Sequence, residues 1–378
     1  MSFIKNTDKK RIEWVDFSKG VAMLLVVIAH TMQGGTYGSM VRGVIYSFHM
    51  PLFFILSGFT MRPSKNIRSF GKKTLKSAKS LLIPGVLLYF AWICIELWRN
   101  AENLMSTDFW KGKALTLLFA SASSTVWGET FIAGIGMIWF FFVLFWGKVL
   151  YDAMQLFVQN ILQKEKNTEL LLIVLSFLFA VAGIVLGKYR WLPFSLDVAF
   201  GIQPFFAFGQ LLKRFDWEHK SGMRMMLCIL IWGVCFFLTY PNPDDWTYLE
   251  VGLRRYSVFP ISYLCALTGT VALGVLGQYI GRWEKQPAFG KPVSMIAKPF
   301  YIIGKNSMYL LCIHIMDQLW NFIWYVEGHQ FLSAIRRLGT DLLIFAVVMI
   351  IVRSFSIIRD RMEKQYEQKN SMNRKQHE

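Results

Sequence analysis

The sequence is short of acid, of paired cysteines and of polar surface. Asp and Glu number 24 against 41 Lys and Arg, a formal net charge of +17. Five cysteines (Cys94, Cys228, Cys235, Cys265 and Cys312) all fall within apolar runs, and no CxxC occurs. That pattern excludes a disulfide framework and a thiolate metal site, leaving small core residues. Charged residues make up 17% of the chain, too few for the surface of a soluble protein of this length. No internal repeat is found, so the duplicated halves of many transporters are missing. The first apolar run carries no small-residue cleavage site, and no removable leader is expected.

What is present points to a membrane. Of 378 residues 54% are hydrophobic, with 33 Phe and 14 Trp, and mean hydropathy is +0.38. Long windows nearly free of charge recur throughout, predicting an all-α polytopic membrane protein. Ten spans are expected, at about 14–33, 42–61, 80–98, 131–150, 169–187, 196–212, 225–239, 257–280, 304–323 and 339–358. Trp98, Trp127, Trp191, Trp246, Trp283 and Trp324 lie near their ends, as interfacial anchors do. Residues 1–358 form one transmembrane domain in this reading, and 359–378 a charged, frayed cytoplasmic tail. Placing the N-terminus inside puts 31 Lys and Arg on the cytoplasmic side and ten outside. This bias predicts cytoplasmic termini and a multi-pass protein of the plasma membrane. The basic charge is then a topology signal with anionic lipid as its partner, and nucleic acid is not expected.

Ionisable groups inside spans are costly and mark functional positions. In "VDFSKGVAMLLVVIAH", His30 follows Lys19 by eleven residues, about 20° past three full turns and about 16 Å along one helix face. Asp16 lies one turn from Lys19, as an interfacial ion pair or a site group. His49 stands in the second span within "SFHMPLFFILSGF", where Pro51 and Ser57-Gly58 allow a kink and a close helix approach. His30 and His49 flank a short "GGTYGS" turn and share the outer half of the bundle. Either can serve as a general base toward a hydroxyl at neutral pH, or hydrogen-bond a neighbouring helix. His314 and Asp317, three residues apart, share a face and resemble a base with its orienting carboxylate. No metal ligand set is expected. The stretch "MRPSKNIRSFGKKTLKSAKSLLIPG" carries seven cations and no acid. Lys73, Lys76 and Lys79 within it anchor topology or contact a phosphate-bearing ligand such as coenzyme A.

Four segments, "WVDFSKGVAMLLVVIAH", "SFHMPLFFILSGF", "IWFFFVLF" and "IGKNSMYLLCIH", resemble the signatures of the acyltransferase 3 family, in the family's order. The likeness is nearest to the fucose 4-O-acetylase-like branch and spans about residues 12–355. The resemblance implies ten transmembrane helices and transfer of an acyl group, usually acetyl, from cytosolic acetyl-CoA. It implies acceptor hydroxyls on extracytoplasmic glycans or lipid-linked sugars, with no tightly bound cofactor. The family's basic residue, ten others, then histidine is matched by Lys19 and His30, with lysine where many members have arginine. Its basic pair before the third helix is matched by Lys76 and Lys79. Many relatives append an extracytoplasmic esterase-like domain, and here handover by the membrane unit or by another protein is expected. The competing reading is a secondary transporter or flippase for a glycan or small anion using the same buried charges. A non-enzymatic partner in envelope assembly is a third, and it needs no buried histidines.

Overall fold

The computed structural model describes residues 11–32, 35–162, 168–214, 221–239, 249–256, 258–288 and 290–375. Trp246 and the start of the "GGTYGS" turn lie outside them. Among the described residues fifteen α-helices and one small hairpin follow in order. The first six helices are α1 (Glu13–Ala29), α2 (Gly35–Tyr46), α3 (His49–Thr60), α4 (Ile67–Arg99), α5 (Thr107–Phe119) and, after strands β1 (Thr125–Trp127) and β2 (Thr130–Ile132), α6 (Trp139–Leu162). Then come α7 (Thr168–Tyr189), α8 (Leu196–Gly201), α9 (Gln203–Leu212), α10 (Ser221–Thr239) and α11 (Ile261–Trp283). The last are α12 (Gly290–Lys305), α13 (Ser307–Met316), α14 (Asn321–Trp324) and α15 (Gln330–Lys375). The chain divides into two compact units, Met1–Lys305 and Asn306–Glu378.

The protein is an all-α polytopic membrane protein. Among the described residues, seven helical stretches are long and apolar enough to cross a bilayer: Ser39–Thr60, Ile67–Arg99, Gly136–Asn160, Thr168–Tyr189, Gly222–Thr239, Ile261–Trp283 and Gln330–Glu363. The other three expected spans are short or broken. The first is α1, of 17 residues. The sixth divides into α8 and α9 at Ile202, and Pro204 stands in the first turn of α9, where its missing N–H has no intrahelical partner to lose. The ninth divides into α13, a 3-10 turn at Asp317–Trp320 and α14.

Other boundaries differ from expectation for local reasons. The second span breaks at Ser47–Phe48, ahead of His49, instead of kinking at Pro51. Pro51 sits in the first turn of α3, where its missing N–H has no intrahelical partner to lose. The expected turn is largely helical, since α2 begins at Gly35. Helix α4 has 33 residues, about 50 Å of rise, far more than a bilayer core needs. Asn66 caps it reciprocally: its side chain accepts from the Ser69 N–H at 2.9 Å and its own N–H donates to Ser69 Oγ at 3.1 Å. The tail expected to fray continues α15 as helix to Lys375. Between the expected eighth and ninth spans lies an additional amphipathic helix, α12, which takes in the first residues of the ninth.

Glycines set the closest approaches in the first unit. A Cβ on Gly304 would meet the Asp16 carbonyl oxygen at 1.7 Å, and one on Gly20 would meet that of Phe300 at 2.1 Å. Only glycine lets α12 lie this tightly on α1. Gly58 and Gly209 do the same for α3 and α9, against Phe206 and Ile55 carbonyls at 2.4 and 2.1 Å. These contacts fix α1 and α3, the helices that carry the candidate site. The contact between α9 and α11 is aromatic, with Phe205 stacked on Tyr263 at 4.5 Å.

Candidate active site

A cavity of about 730 Å³ is lined by residues of α1, α3, α4 and α6, of the segments before α1 and after α3, and by Lys213 just past α9. Arg11, Asp16 and Lys19 come from α1 and the turn before it, and Lys73 and Lys76 from α4. Lys148 and Asp152 come from α6, with Arg62 and Lys213 closing the rim. Seven cations therefore face two acids, and both acids are already engaged. Arg11 holds Asp16 through Nε at 3.0 Å and Nη2 at 3.3 Å. Buried Asp152 accepts from the Ser64 backbone N–H at 2.8 Å and from Ser64 Oγ at 2.6 Å. Gln210 donates to the Gly58 and Met61 carbonyls at 2.6 and 3.0 Å, and Lys213 also donates to Met61. These bonds cap the C-terminal end of α3 and hold the 61–64 segment in place. Lys73 donates to the Arg62 carbonyl at 2.7 Å. The result is a cationic chamber of the size ligand sites have.

Lys19, Lys73 and Lys76 thus line one cavity. Lys79 is exposed on α4 and is not among the lining residues. Lys148 was missed, although a lysine within an aromatic run ("FFFVLFWGK") is the signal that should expose such a group.

Histidines gather at the other end of α1. His30 caps that helix, and its ring centroid lies 6.3 Å from that of Tyr46. His49, the first residue of α3, lies 4.7 Å from the same ring. Tyr46 therefore sits against both imidazoles. His49 Nδ1 lies 2.9 Å from the Ile45 carbonyl oxygen. A carbonyl only accepts, so Nδ1 carries the proton and Nε2 is left as the basic nitrogen. Arg42 Nη2 donates to the Tyr46 hydroxyl and to Glu250 Oε1, both at 3.3 Å. Neither Tyr46 nor Glu250 stood out in the sequence, and Arg42 counted only as a loop cation.

The second unit holds a cluster of its own. His314 Nδ1 donates to Asp317 Oδ2 at 2.8 Å and approaches Asp341 Oδ2 at 3.2 Å. All three residues are fully buried. The expected His314–Asp317 pair is therefore formed, with Asp341 as an unforeseen third member. Their ligand atoms lie within 4.8 Å of one another, close enough for a metal ion. Arg337, however, grips both oxygens of Asp317, at 2.6 and 2.7 Å, and lies over the Trp324 ring at 4.4 Å. A guanidinium thus stands where a metal's charge would be needed.

The acyltransferase domain family of the acyltransferase 3 type matches residues 12–359. The chain belongs to this family. The nodulation protein NolL of Mesorhizobium japonicum is 25% identical over 227 residues, covering 58% of this chain and 56% of NolL. The chain thus spans about half the length of that curated relative. No solved structure matches it.

Proposed function

We propose that this chain is a plasma-membrane O-acyltransferase, moving an acetyl group from cytosolic acetyl-CoA to a hydroxyl of an envelope glycan or its lipid-linked precursor. The observation that carries this reading is the polarity of α1. One end enters a chamber lined by seven cations, and the other carries His30 beside Tyr46 and His49. Phosphates of the donor suit the cations, which offer charge-assisted hydrogen bonds. The pantetheine arm then runs along the face shared by Lys19 and His30, about 16 Å in length.

At the imidazole end the acceptor oxygen attacks the thioester carbonyl as His30 removes its proton. The new C–O bond forms, the C–S bond breaks, and the thiolate takes that proton and leaves as the free thiol. In a variant of this course the His30 ring nitrogen attacks the thioester, the C–S bond breaks and the thiolate leaves; the acceptor oxygen then takes the acetyl group as the N–C bond breaks, and its proton goes to the thiolate. Cytoplasmic termini and ten crossings complete the topology, counting α1, α8–α9 and α13–α14 with the seven longer stretches. Family membership favours transfer over transport, and the sequence has no repeat of the kind a flippase would use.

The test is purified protein given labelled acetyl-CoA and de-O-acetylated envelope glycan. His30→Gln keeps the hydrogen bonding of imidazole without its basicity, and should slow transfer by about 10²–10⁴ while donor affinity stays. Wild-type turnover in that variant would make His30 a packing residue and remove the catalytic assignment.

A further inference from the structure

We infer that Glu250 is an acceptor-binding residue, a carboxylate held beside the imidazole pair to receive a second hydroxyl of a polyhydroxylated acceptor. The inference rests on the acyltransferase reading and adds to it the residue that selects the acceptor.

Glu250 is only 9% exposed. Its Oε1 accepts from Arg42. Its Oε2 is enclosed and has no hydrogen-bond partner among the described residues, with Arg255 Nη1 at 3.6 Å. A buried carboxylate oxygen without a donor is costly, and such groups mark places where something else binds. Burial pushes this carboxyl up from its ordinary value, against the opposing pull of Arg42 and Arg255. A donated hydroxyl would relieve that penalty.

Position ties the group to the chemistry. Arg42 Nη2 lies 3.3 Å from both the Glu250 carboxylate and the Tyr46 hydroxyl, so those two oxygens are at most about 6.6 Å apart. Tyr46 in turn lies against His30 and His49. A sugar ring with neighbouring hydroxyls can place one at an imidazole and another at Glu250. A carboxylate only accepts, so it selects for hydroxyl hydrogens, and the two arginines disfavour an amine or a metal cation.

The loop that bears Glu250 is built to hold still. Glu250 and Arg255 exchange backbone hydrogen bonds at 2.9 and 3.1 Å. Arg254 adopts a left-handed conformation, φ 61°, which a non-glycine residue keeps only where its surroundings impose it. Its guanidinium donates to Asp197 at 2.5 and 3.1 Å and to Ser121 Oγ at 2.8 Å, and stacks over Trp191 at 3.8 Å. Spanning a bilayer requires none of this, whereas fixing a carboxylate over a reaction centre does.

Glu250→Gln tests the inference in purified full-length protein, with de-O-acetylated envelope glycan from cells lacking the chain as acceptor. Its acceptor KM should rise about 10–100-fold, the worth of one charge-assisted hydrogen bond, with acetyl-CoA KM within about twofold of wild type. If the variant does not accumulate, Arg42→Gln with Glu250→Gln removes both charges together and should show the same split. An unchanged acceptor KM, an equal rise in both KM values, or failure of both variants to fold would make Glu250 structural and overturn the inference. Wild-type protein that acetylates no glycan would instead overturn the acyltransferase reading itself.

Discussion

Lys148 offers a perturbation whose two effects should have opposite signs. It projects from α6 into the cationic cavity, where it and Lys19 repel each other. No carboxylate lies within ion-pair distance of it among the described residues. Asp152, one turn further on α6, is held by Ser64. The ligand-free protein thus carries a half-buried ammonium whose desolvation nothing in the chain offsets. Replacing such a charge with an apolar side chain of similar length is commonly neutral to stabilising, by about 1–4 kcal/mol for fully buried groups. The partial exposure of Lys148 discounts this to about 1 kcal/mol.

Donor binding should move the other way. A hydrogen bond to a charged group contributes about 1.5–3 kcal/mol, and taking about 2 gives a roughly 30-fold rise in Kd. Thermal unfolding in detergent, with and without acetyl-CoA, reads both effects. At a concentration 100 times the wild-type Kd the ligand adds about 2.7 kcal/mol to wild type, but only about 0.9 kcal/mol to Lys148→Met. Unliganded Lys148→Met should melt at or above the wild-type temperature. A lower unliganded melting temperature, or a ligand-induced shift equal to wild type, would refute the assignment of Lys148 to the donor.

Three further outcomes are expected. Asp197→Ala strands the buried Arg254 guanidinium and should destabilise the protein by about 3–5 kcal/mol, less when Arg254→Met accompanies it, as chemical denaturation in mixed micelles can check. Gly304→Ala should cost about 1–3 kcal/mol and weaken donor affinity, because the added methyl pushes α12 off the Asp16 carbonyl beside the cavity; thermal unfolding and donor titration read the two effects. With the native cysteines removed, an impermeant thiol reagent on intact cells should label Lys111→Cys and spare Glu363→Cys, and the reverse pattern would invert the topology.

The sequence made the long spans and the Lys19–His30 stripe legible because both depend on local periodicity. A 3.6-residue repeat places two side chains on one face wherever the helix later packs. The breaks in the sixth and ninth spans were not legible, since mean hydropathy continues across Ile202 and Asp317 while the backbone does not. Glu250 was hidden for a different reason. It meets Arg42 across 208 residues, on a loop that the Arg254–Asp197 contact also anchors. Asp341 reaches His314 across 27 residues in the same way.

Buried partners also change what the charge count means. Three of the ten cations assigned to the outer side are internal: Arg42 serves Glu250, Arg254 serves Asp197, and Arg337 serves Asp317. These cannot report on topology, because each is held by a carboxylate within the protein and not by the surface of a leaflet. The seven cations of the cavity leave the inner count too, since they face a ligand chamber and not a leaflet. Dropping seven from 31 leaves 24, and dropping three from ten leaves seven, so the ratio stays between three and four. The charges that answer to lipid therefore favour the proposed cytoplasmic termini as strongly as the full count does, once those that answer to chemistry are set aside.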